Sequence, residues 1–276
     1  MPKGLGSWPR APLVLSVIEI GYAKRAKFSE EAAALGDLQT RGLYPFVEEG
    51  TLKEFKVQTS PEKIEVTTED SPSWVLANES KTVAARVLPT KLTFFDADYE
   101  GDFTGSLRRL HEVLDTWSRS AASLTITEVR VRTFDVALPP ESIGLQRWLR
   151  QKWHAGDIDS RHSSGMAIRD YPKDDGSLHV RVRSRSVKAN QRIAPPPDLM
   201  MAVNIKLPSD LVGPYRGDSS IAMVDVERVV KGERIALEDI DSLLSAAHED
   251  ASREFEGVFE KLALDYFRGL ESGADK

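Results

Sequence analysis

One apolar stripe near the C-terminal end constrains the fold more than any other feature of the sequence. Across residues 237–270, apolar side chains recur at the three- and four-residue spacing of an α-helix. One continuous helix of this length would be about 50 Å long, which exceeds the width of a small domain. The helix therefore has to lie across a whole sheet or bend, and Gly257 is the predicted bend.

The residues before this stripe read as short strands and one more long helix. Leu13–Tyr22 is apolar on both faces, which is typical of a central strand. Apolar residues at helical spacing predict a second amphipathic helix over 102–118. Asp174-Asp175-Gly176 predicts a hairpin turn between two later strands, because glycine accepts a positive φ.

The order of these elements suggests an internal duplication. Strand, helix, several strands and helix occur in that order twice, which divides one compact unit (1–276) into halves 11–122 and 123–272, after a flexible N-terminus, 1–10. The predicted fold class is α+β, with duplicated β-α-β(n)-α units. Antiparallel sheets would carry long helices packed on one face. This architecture resembles the TATA-binding-protein-like and helix-grip folds.

Composition limits the chemistry and the compartment. The chain has no cysteine, which excludes disulfides, thiolate metal sites and a cysteine nucleophile. A cysteine-free chain fits a reducing compartment, and we predict a cytoplasmic protein. The apolar run over residues 11–20 is short and interrupted by Glu19, so neither a signal peptide nor a membrane span is expected.

Charge is distributed unevenly along the chain. The net charge is −6, but residues 126–206 contain 14 basic and 9 acidic side chains, whereas residues 207–276 contain 8 and 16. A globally acidic chain is a poor sequence-independent binder of nucleic acid, yet the basic zone suits an anionic partner. The basic and acidic zones could also attract each other, within one chain or between two.

Alternating cations on two predicted strands form the main candidate site. Side chains two residues apart share one face of a strand, and guanidinium groups bind phosphate or carboxylate in pairs of hydrogen bonds. An anion-binding or nucleic-acid-binding sheet face is one interpretation. The other is a solvated outer face whose arginines pair with acidic neighbours such as Glu227. The candidate residues are Arg130, Arg132, His179, Arg181, Arg183 and Arg185.

A predicted loop contains a second, weaker group of candidates. His154, Asp157, Asp159 and His162 lie within nine residues, and two imidazoles with two carboxylates could bind a divalent metal. His162 also precedes two serines, which would suit a nucleophile and its base. The alternative is a polar connector with no site. The sequence predicts no cofactor.

The two ends of the chain carry a family resemblance. Its motifs are the residues that open the first strand, two pairs around the helices and the aromatic and histidine positions of the last helix. They are Ala11-Pro12-Leu13-Val14, Glu19-Ile20, Tyr44-Pro45, Tyr99 with Phe103, and His248, Phe255 and Phe259. Together they resemble a sporadically distributed family of bacterial proteins of unassigned function and similar length. That resemblance implies a link to mobile genetic islands, where phage-defence and toxin-neutralising genes cluster.

Three functions remain open from the sequence. The first is a non-enzymatic binding, sensor or adaptor protein of a bacterial conflict system (anti-phage defence or toxin–antitoxin), with a protein partner or a homodimer through the C-terminal helix 237–270. The second is a nucleic-acid-binding component that uses the arginine-lined face. The third is a metal-dependent hydrolase or nuclease centred on residues 154–162.

Overall fold

A computed structural model describes residues 8–59, 64–99, 103–121, 124–140, 143–154, 164–200 and 203–270. Within these residues nine strands form one antiparallel sheet, accompanied by seven α-helices, so the predicted α+β class with an antiparallel sheet is confirmed. The strands are β1 (Leu13–Tyr22), β2 (Phe46–Thr59), β3 (Ile64–Ala77), β4 (Val83–Leu88), β5 (Lys91–Asp96), β6 (Ile126–Ala137), β7 (Ser164–Lys173), β8 (Gly176–Val187) and β9 (Ser219–Ile235). The helices are α1 (Phe28–Ala32), α2 (Gly36–Thr40), α3 (Phe103–Ser120), α4 (Pro197–Met200), α5 (Ser209–Val212), α6 (Ile240–Glu256) and α7 (Lys261–Phe267).

The two strands that begin the predicted halves lie side by side in the middle of the sheet. The strand order is β2-β3-β4-β5-β1-β6-β9-β8-β7. Strands β2 to β5 form a meander that ends on β1, and strands β7 to β9 form a second meander that ends on β6. The pairing of β1 with β6, for example Ile18 opposite Val131, joins the two into one sheet.

The long helices bury one side of this sheet. Ile18 and Val131 point toward α3 and α6 and share a core with Trp117 of α3 and Leu244 of α6, all at most 1% exposed. Successive side chains of β1 and β6 point to opposite faces of the sheet, and apolar residues of α3 recur every three or four residues. Each of these elements therefore presents one apolar face to this core. Burial of a large apolar side chain stabilises the fold by about 1.5–3 kcal/mol.

The C-terminal stripe does not form the single helix predicted over 237–270. Helix α6 ends at Glu256, and α7 begins only at Lys261. Between them, Phe259 forms an isolated β-bridge with Leu149. Backbone hydrogen bonds on either side connect residues 258 and 260 with residues 150 and 148. The chain therefore leaves the helix directly after the predicted bend, Gly257, because its backbone pairs with a distant segment.

The stripe packs on the protein's own sheet. Phe255, Phe259 and Phe267 are buried with Trp148 and Trp8 in a second core against β8 and β9. The N-terminal stretch predicted to be flexible, 1–10, is described only from Trp8, whose ring stacks on Phe267 at 6.3 Å. A homodimer through 237–270 stays a prediction, and it would have to use the polar outer sides of α6 and α7.

Within the described residues, a segment of the chain covers one end of the opposite side of the sheet. A segment running from Ile193 to Tyr215, which includes α4 and α5, packs its apolar residues on Phe95 and Phe134. Helices thus occur on both sides of the sheet, with the long α3 and α6 on one and the short α4 and α5 on the other. No helix within the described residues is both long and apolar enough to cross a membrane.

A carboxyl group is buried without a partner on the α3 and α6 side. Asp135 is 0% exposed, and among the described residues no hydrogen bond reaches either of its side-chain oxygens. Ser16 and Thr133 pair across β1 and β6, and their hydroxyls are buried and have no hydrogen-bond partner within the described ranges. Burial raises the pKa of Asp135 to about 8; the charge of Asp225 adds to the shift, and the nearby Thr133 hydroxyl opposes it.

The raised pKa makes stability depend on pH. An unfolded aspartate ionises near pH 4, whereas Asp135 keeps its proton until about pH 8 in the fold. The contribution of this proton to the free energy of unfolding is therefore fully present below about pH 4 and is lost as the pH rises through 8. Asp135→Asn cannot ionise. Its melting temperature relative to that of the wild type should therefore increase steadily between about pH 5 and pH 8.

Asp174→Asn is the matched control, because Asp174 is exposed in the β7–β8 turn. Its melting temperature should follow that of the wild type at every pH. Parallel melting curves for Asp135→Asn and the wild type across this range would show that Asp135 is not protonated in the fold.

Candidate functional site: a charged pocket on the sheet

All six predicted cationic residues lie on the side of the sheet opposite α3 and α6. Arg130 and Arg132 alternate with core valines of β6, and the cations of β8 alternate with Leu178 and its core neighbours. We call this side of the sheet the ionic face. The two cationic strands are not neighbours, because β9 lies between β6 and β8. Strand β9 presents two carboxylates there, Asp225 and Glu227.

The most buried guanidinium is held by two carboxylates. Arg132 is 6% exposed, and its Nε and Nη2 donate to the two oxygens of Asp225 at 2.7 and 2.8 Å. Its Nη1 donates to Asp198 of α4, so it also fixes that helix to the sheet. Burial alone would lower the pKa of Arg132, but the hydrogen bonds and charges of Asp225 and Asp198 outweigh it and raise that pKa. The same contact lowers the pKa of Asp198 against the effect of its own partial burial.

A second charged cluster is centred on Glu19 of β1. Its carboxylate accepts hydrogen bonds from Lys91 at 2.8 Å and from Thr93 at 3.1 Å, and it lies 3.8 Å from the Nε of Arg130. Arg130 also donates to Glu227 at 3.1 Å and to Glu128 at 2.8 Å. Four neighbouring strands, β5, β1, β6 and β9, thus contribute to one network of alternating charges.

The network forms the floor of a pocket of about 390 Å³. Leu199 and Asp198 of α4 form one wall, and Leu52 of β2 lies at the other end. Pockets of this size hold small molecules, and they usually combine apolar walls with a few fixed polar groups. The remaining lining residues are Val17, Glu19, Arg86, Leu88, Lys91, Thr93, Phe95, Arg130, Arg132 and Glu227.

The arginines of β8 form fewer ion pairs than those of β6 within the described residues. Arg181 shares Asp225 with Arg132 at 3.2 Å. Arg183 is exposed and Arg185 is half-buried, and neither forms an ion pair with any residue that the structure describes. Beside them on the edge strand β7, Met166 is 60% and Ile168 is 51% exposed. This corner of the ionic face therefore combines uncompensated positive charge with apolar surface.

The sixth candidate, His179, lies between two polar neighbours. Its Nε2 is 2.9 Å from the Oγ of Ser177, and its Nδ1 is 2.6 Å from a carboxylate oxygen of Asp170. Ser177 is on the same strand, and Asp170 is directly opposite on β7. Neither residue was among the sequence candidates. The spacing Ser177-x-His179 was visible in the sequence, whereas the pairing with Asp170 depends on the register.

The predicted metal candidates are mostly outside the described residues. Asp157, Asp159 and His162 lie outside the described residues. The hypothesis of a hydrolase or nuclease at 154–162 therefore stays a prediction. His154 is described, and its Nε2 lies 3.0 Å from the carbonyl oxygen of Leu149. Among the described residues no three histidine or carboxylate side chains are grouped closely enough to bind a metal ion.

Sequence reasoning found the cations and missed most of their partners. Glu227 was named as a potential partner of the arginines, and it contacts Arg130. Asp225 carried the same signal, because it is two residues away on the same predicted strand and must share the face. Asp198 carried no such signal, since a loop brings it onto the sheet. Comparison with known proteins adds nothing further: no family model, curated protein or solved structure matches the chain.

Loss of the buried guanidinium should destabilise the fold strongly. Arg132→Met leaves Asp225 nearly buried with only the half-exposed Arg181 as a cationic partner. Removing one member of a buried ion pair costs about 3–5 kcal/mol, and we expect a loss of this size in the free energy of unfolding measured by urea titration.

Arg183→Met is the control for this substitution. It removes the same side chain from an exposed position on β8, so the free energy of unfolding should stay within about 0.5 kcal/mol of the wild type. Equal stability losses in the two variants would contradict a structural role for the Arg132 network.

Proposed function

We propose that the chain is a binding protein, acting as a sensor or adaptor, and that the charged pocket on the ionic face holds a small ligand with a carboxylate or phosphate group. The observation that carries this proposal is the composition of the lining. Cationic side chains outnumber carboxylates there by four to three, and apolar residues and Thr93 form the remainder. The cations are Arg86, Lys91, Arg130 and Arg132, and the carboxylates are Glu19, Asp198 and Glu227.

The geometry suggests where an anion would bind. Lys91 is 39% exposed, and it and Arg130 approach the same carboxylate, Glu19, from two sides. A ligand anion above Glu19 would meet both cations without disturbing the buried Arg132–Asp225 pair. Leu88, Phe95 and Leu199 offer apolar contact for the rest of the ligand.

The biological setting is part of the proposal. The resemblance in the N-terminal strand and the last helix supports a role in a bacterial conflict system, with a protein partner that responds to ligand binding. The strand order supports an ancestral duplication, because each predicted half is a meander ending on a central strand, β1 or β6. A cytoplasmic location agrees with the absence of cysteine.

Anion binding can be measured with defined probes. We expect citrate or adenosine monophosphate to raise the melting temperature, whereas uncharged adenosine should not. Lys91→Gln should weaken binding of the active probe by about tenfold in isothermal titration calorimetry, because hydrogen bonds to charged groups contribute about 1.5–3 kcal/mol.

Arg183→Gln should leave that affinity unchanged, because Arg183 lies outside the pocket. If neither anion changes the melting temperature, or if both substitutions weaken binding equally, the pocket is not the anion site.

A second candidate function is binding of nucleic acid at the outer corner. Arg183 and Arg185 favour it: they have no ion-pair partner among the described residues, so a phosphate contact there would not displace an ion pair of that part of the chain. The exposed Met166 and Ile168 could contact bases or sugars. The paired Arg130 and Arg132 are poorer candidates for this role than the sequence suggested.

Gel-shift titration separates this candidate from small-ligand binding. Because phosphate contacts release counterions, affinity for single- or double-stranded DNA or RNA should fall steeply between about 50 and 200 mM salt. Arg183→Gln combined with Arg185→Gln should weaken binding and reduce the salt slope, whereas Arg253→Gln on α6, on the other side of the sheet, should not. Absent or salt-insensitive binding would exclude this function.

A further inference from the structure

Three polar side chains on β7 and β8 are connected by hydrogen bonds in the order of a nucleophile, a base and an orienting carboxylate. The Oγ of Ser177 lies 2.9 Å from the Nε2 of His179, and the Nδ1 of His179 lies 2.6 Å from Asp170. Two-residue spacing places Ser177 and His179 on the same face of β8, and register places Asp170 directly opposite His179. The two paired strands therefore hold all three groups in position.

The carboxylate determines the direction of these hydrogen bonds. An ionised carboxylate only accepts hydrogen bonds, so the Nδ1 of His179 carries the proton that is donated to Asp170. In the neutral ring, Nε2 then accepts the hydrogen bond from the hydroxyl of Ser177. This is the tautomer and orientation in which an imidazole can remove a proton from a serine.

The surroundings of Ser177 supply apolar contact and a cation. The cross-strand neighbours of Ser177 are Pro172 and Val229, which form a small apolar surface on either side. Lys231 follows two residues after Val229 on the same face. Its side chain is 67% exposed, and its Nζ lies 3.8 Å from a carboxylate oxygen of Glu128. An ammonium group there is suited to stabilise negative charge that develops next to the serine.

We propose that Ser177 is an activated nucleophile that reacts with small carboxylic esters, with His179 as general base and Asp170 as positioning residue. This activity goes beyond the binding function proposed above. It occupies different residues, because neither Ser177, His179 nor Asp170 lines the charged pocket.

The reaction consumes only the ester and water. The Oγ of Ser177 attacks the carbonyl carbon while its proton passes to the Nε2 of His179. The ester C–O bond then breaks, and the departing alkoxide takes that proton and leaves as an alcohol. Water attacks the acyl-serine in the same way, which releases the carboxylic acid and returns the proton to Ser177.

A fluorophosphonate probe tests the nucleophile directly on the full chain. We expect the probe to add covalently to one residue per chain, seen as a single mass increase, and peptide mapping should locate it at Ser177. The same protein should release p-nitrophenol from p-nitrophenyl acetate. Absence of labelling at Ser177 would overturn the proposal.

Substitutions separate a reactive serine from a chance contact. Ser177→Ala should abolish labelling, and His179→Gln should slow it by about 10²-fold or more, because general base catalysis contributes at least that much. Ser186→Ala removes an exposed serine of the same strand and should have no effect. Unchanged labelling in His179→Gln would show that the histidine does not activate the serine. Melting temperatures of all variants identify any loss of folding.

Substitution of Asp170 tests its role as a positioning residue. Asp170→Asn should slow labelling, because the ring of His179 loses the carboxylate that accepts its Nδ1 proton, and Asp170→Glu should restore part of the rate. Equal labelling rates in the wild type and Asp170→Asn would show that Asp170 does not position His179. Anion binding in the pocket should be normal in Ser177→Ala, so failure of this activity and failure of the binding function are distinguishable.

Discussion

The antiparallel pairing of β1 with β6 is the interaction on which the rest of the structure depends. It joins two meanders that are each continuous along the chain into one nine-stranded sheet. Because every side chain on a strand alternates between two faces, this one register determines both surfaces at once. It brings Ile18 and Val131 under the long helices, and on the other surface it brings Glu19 next to Arg130.

The two faces of the sheet accommodate buried polar side chains in different ways. Under α3 and α6, the sheet is apolar except for a few buried polar groups such as Asp135, which avoids the cost of a buried charge by keeping its proton. On the ionic face, the nearly buried charges of Arg132 and Asp225 are paired across strands. The bidentate contact of Arg132 with Asp225 compensates the loss of water around both groups. The segment that contains α4 can therefore cover part of a charged surface.

Burial and ion pairing determine which charged side chains can bind a ligand. Arg132 is committed to structure, because it and Asp225 are nearly buried and because it anchors α4 through Asp198. Lys91 and Arg130 are partly exposed at the edge of a pocket, where an additional anion can share them. Arg183 and Arg185 have no acidic partner among the described residues and present charge to solvent. The hydrogen-bonded Ser177, His179 and Asp170 form a fourth environment, in which the carboxylate orients a base. One sheet face thus carries a structural network, a pocket and a separate reactive group.

Several elements could be predicted because their signals are local. The apolar spacing of α3, the central position of β1 and the glycine turn between β7 and β8 all depend on residues close in sequence. The alternation along β6 and β8 correctly placed the candidate cations on faces opposite their core residues. It could not show that β9 separates these strands, since strand order depends on contacts between distant segments.

The sequence by itself determined which side chains share a face, because the period of a strand is a local geometric property. Only the tertiary structure decided which faces meet. It ended α6 near Gly257, because residues 258–260 pair with residues 148–150. It brought Asp198 to Arg132 and Asp170 to His179. Each of these partners is far away in sequence or belongs to another strand, and strand register and loop path place them in contact.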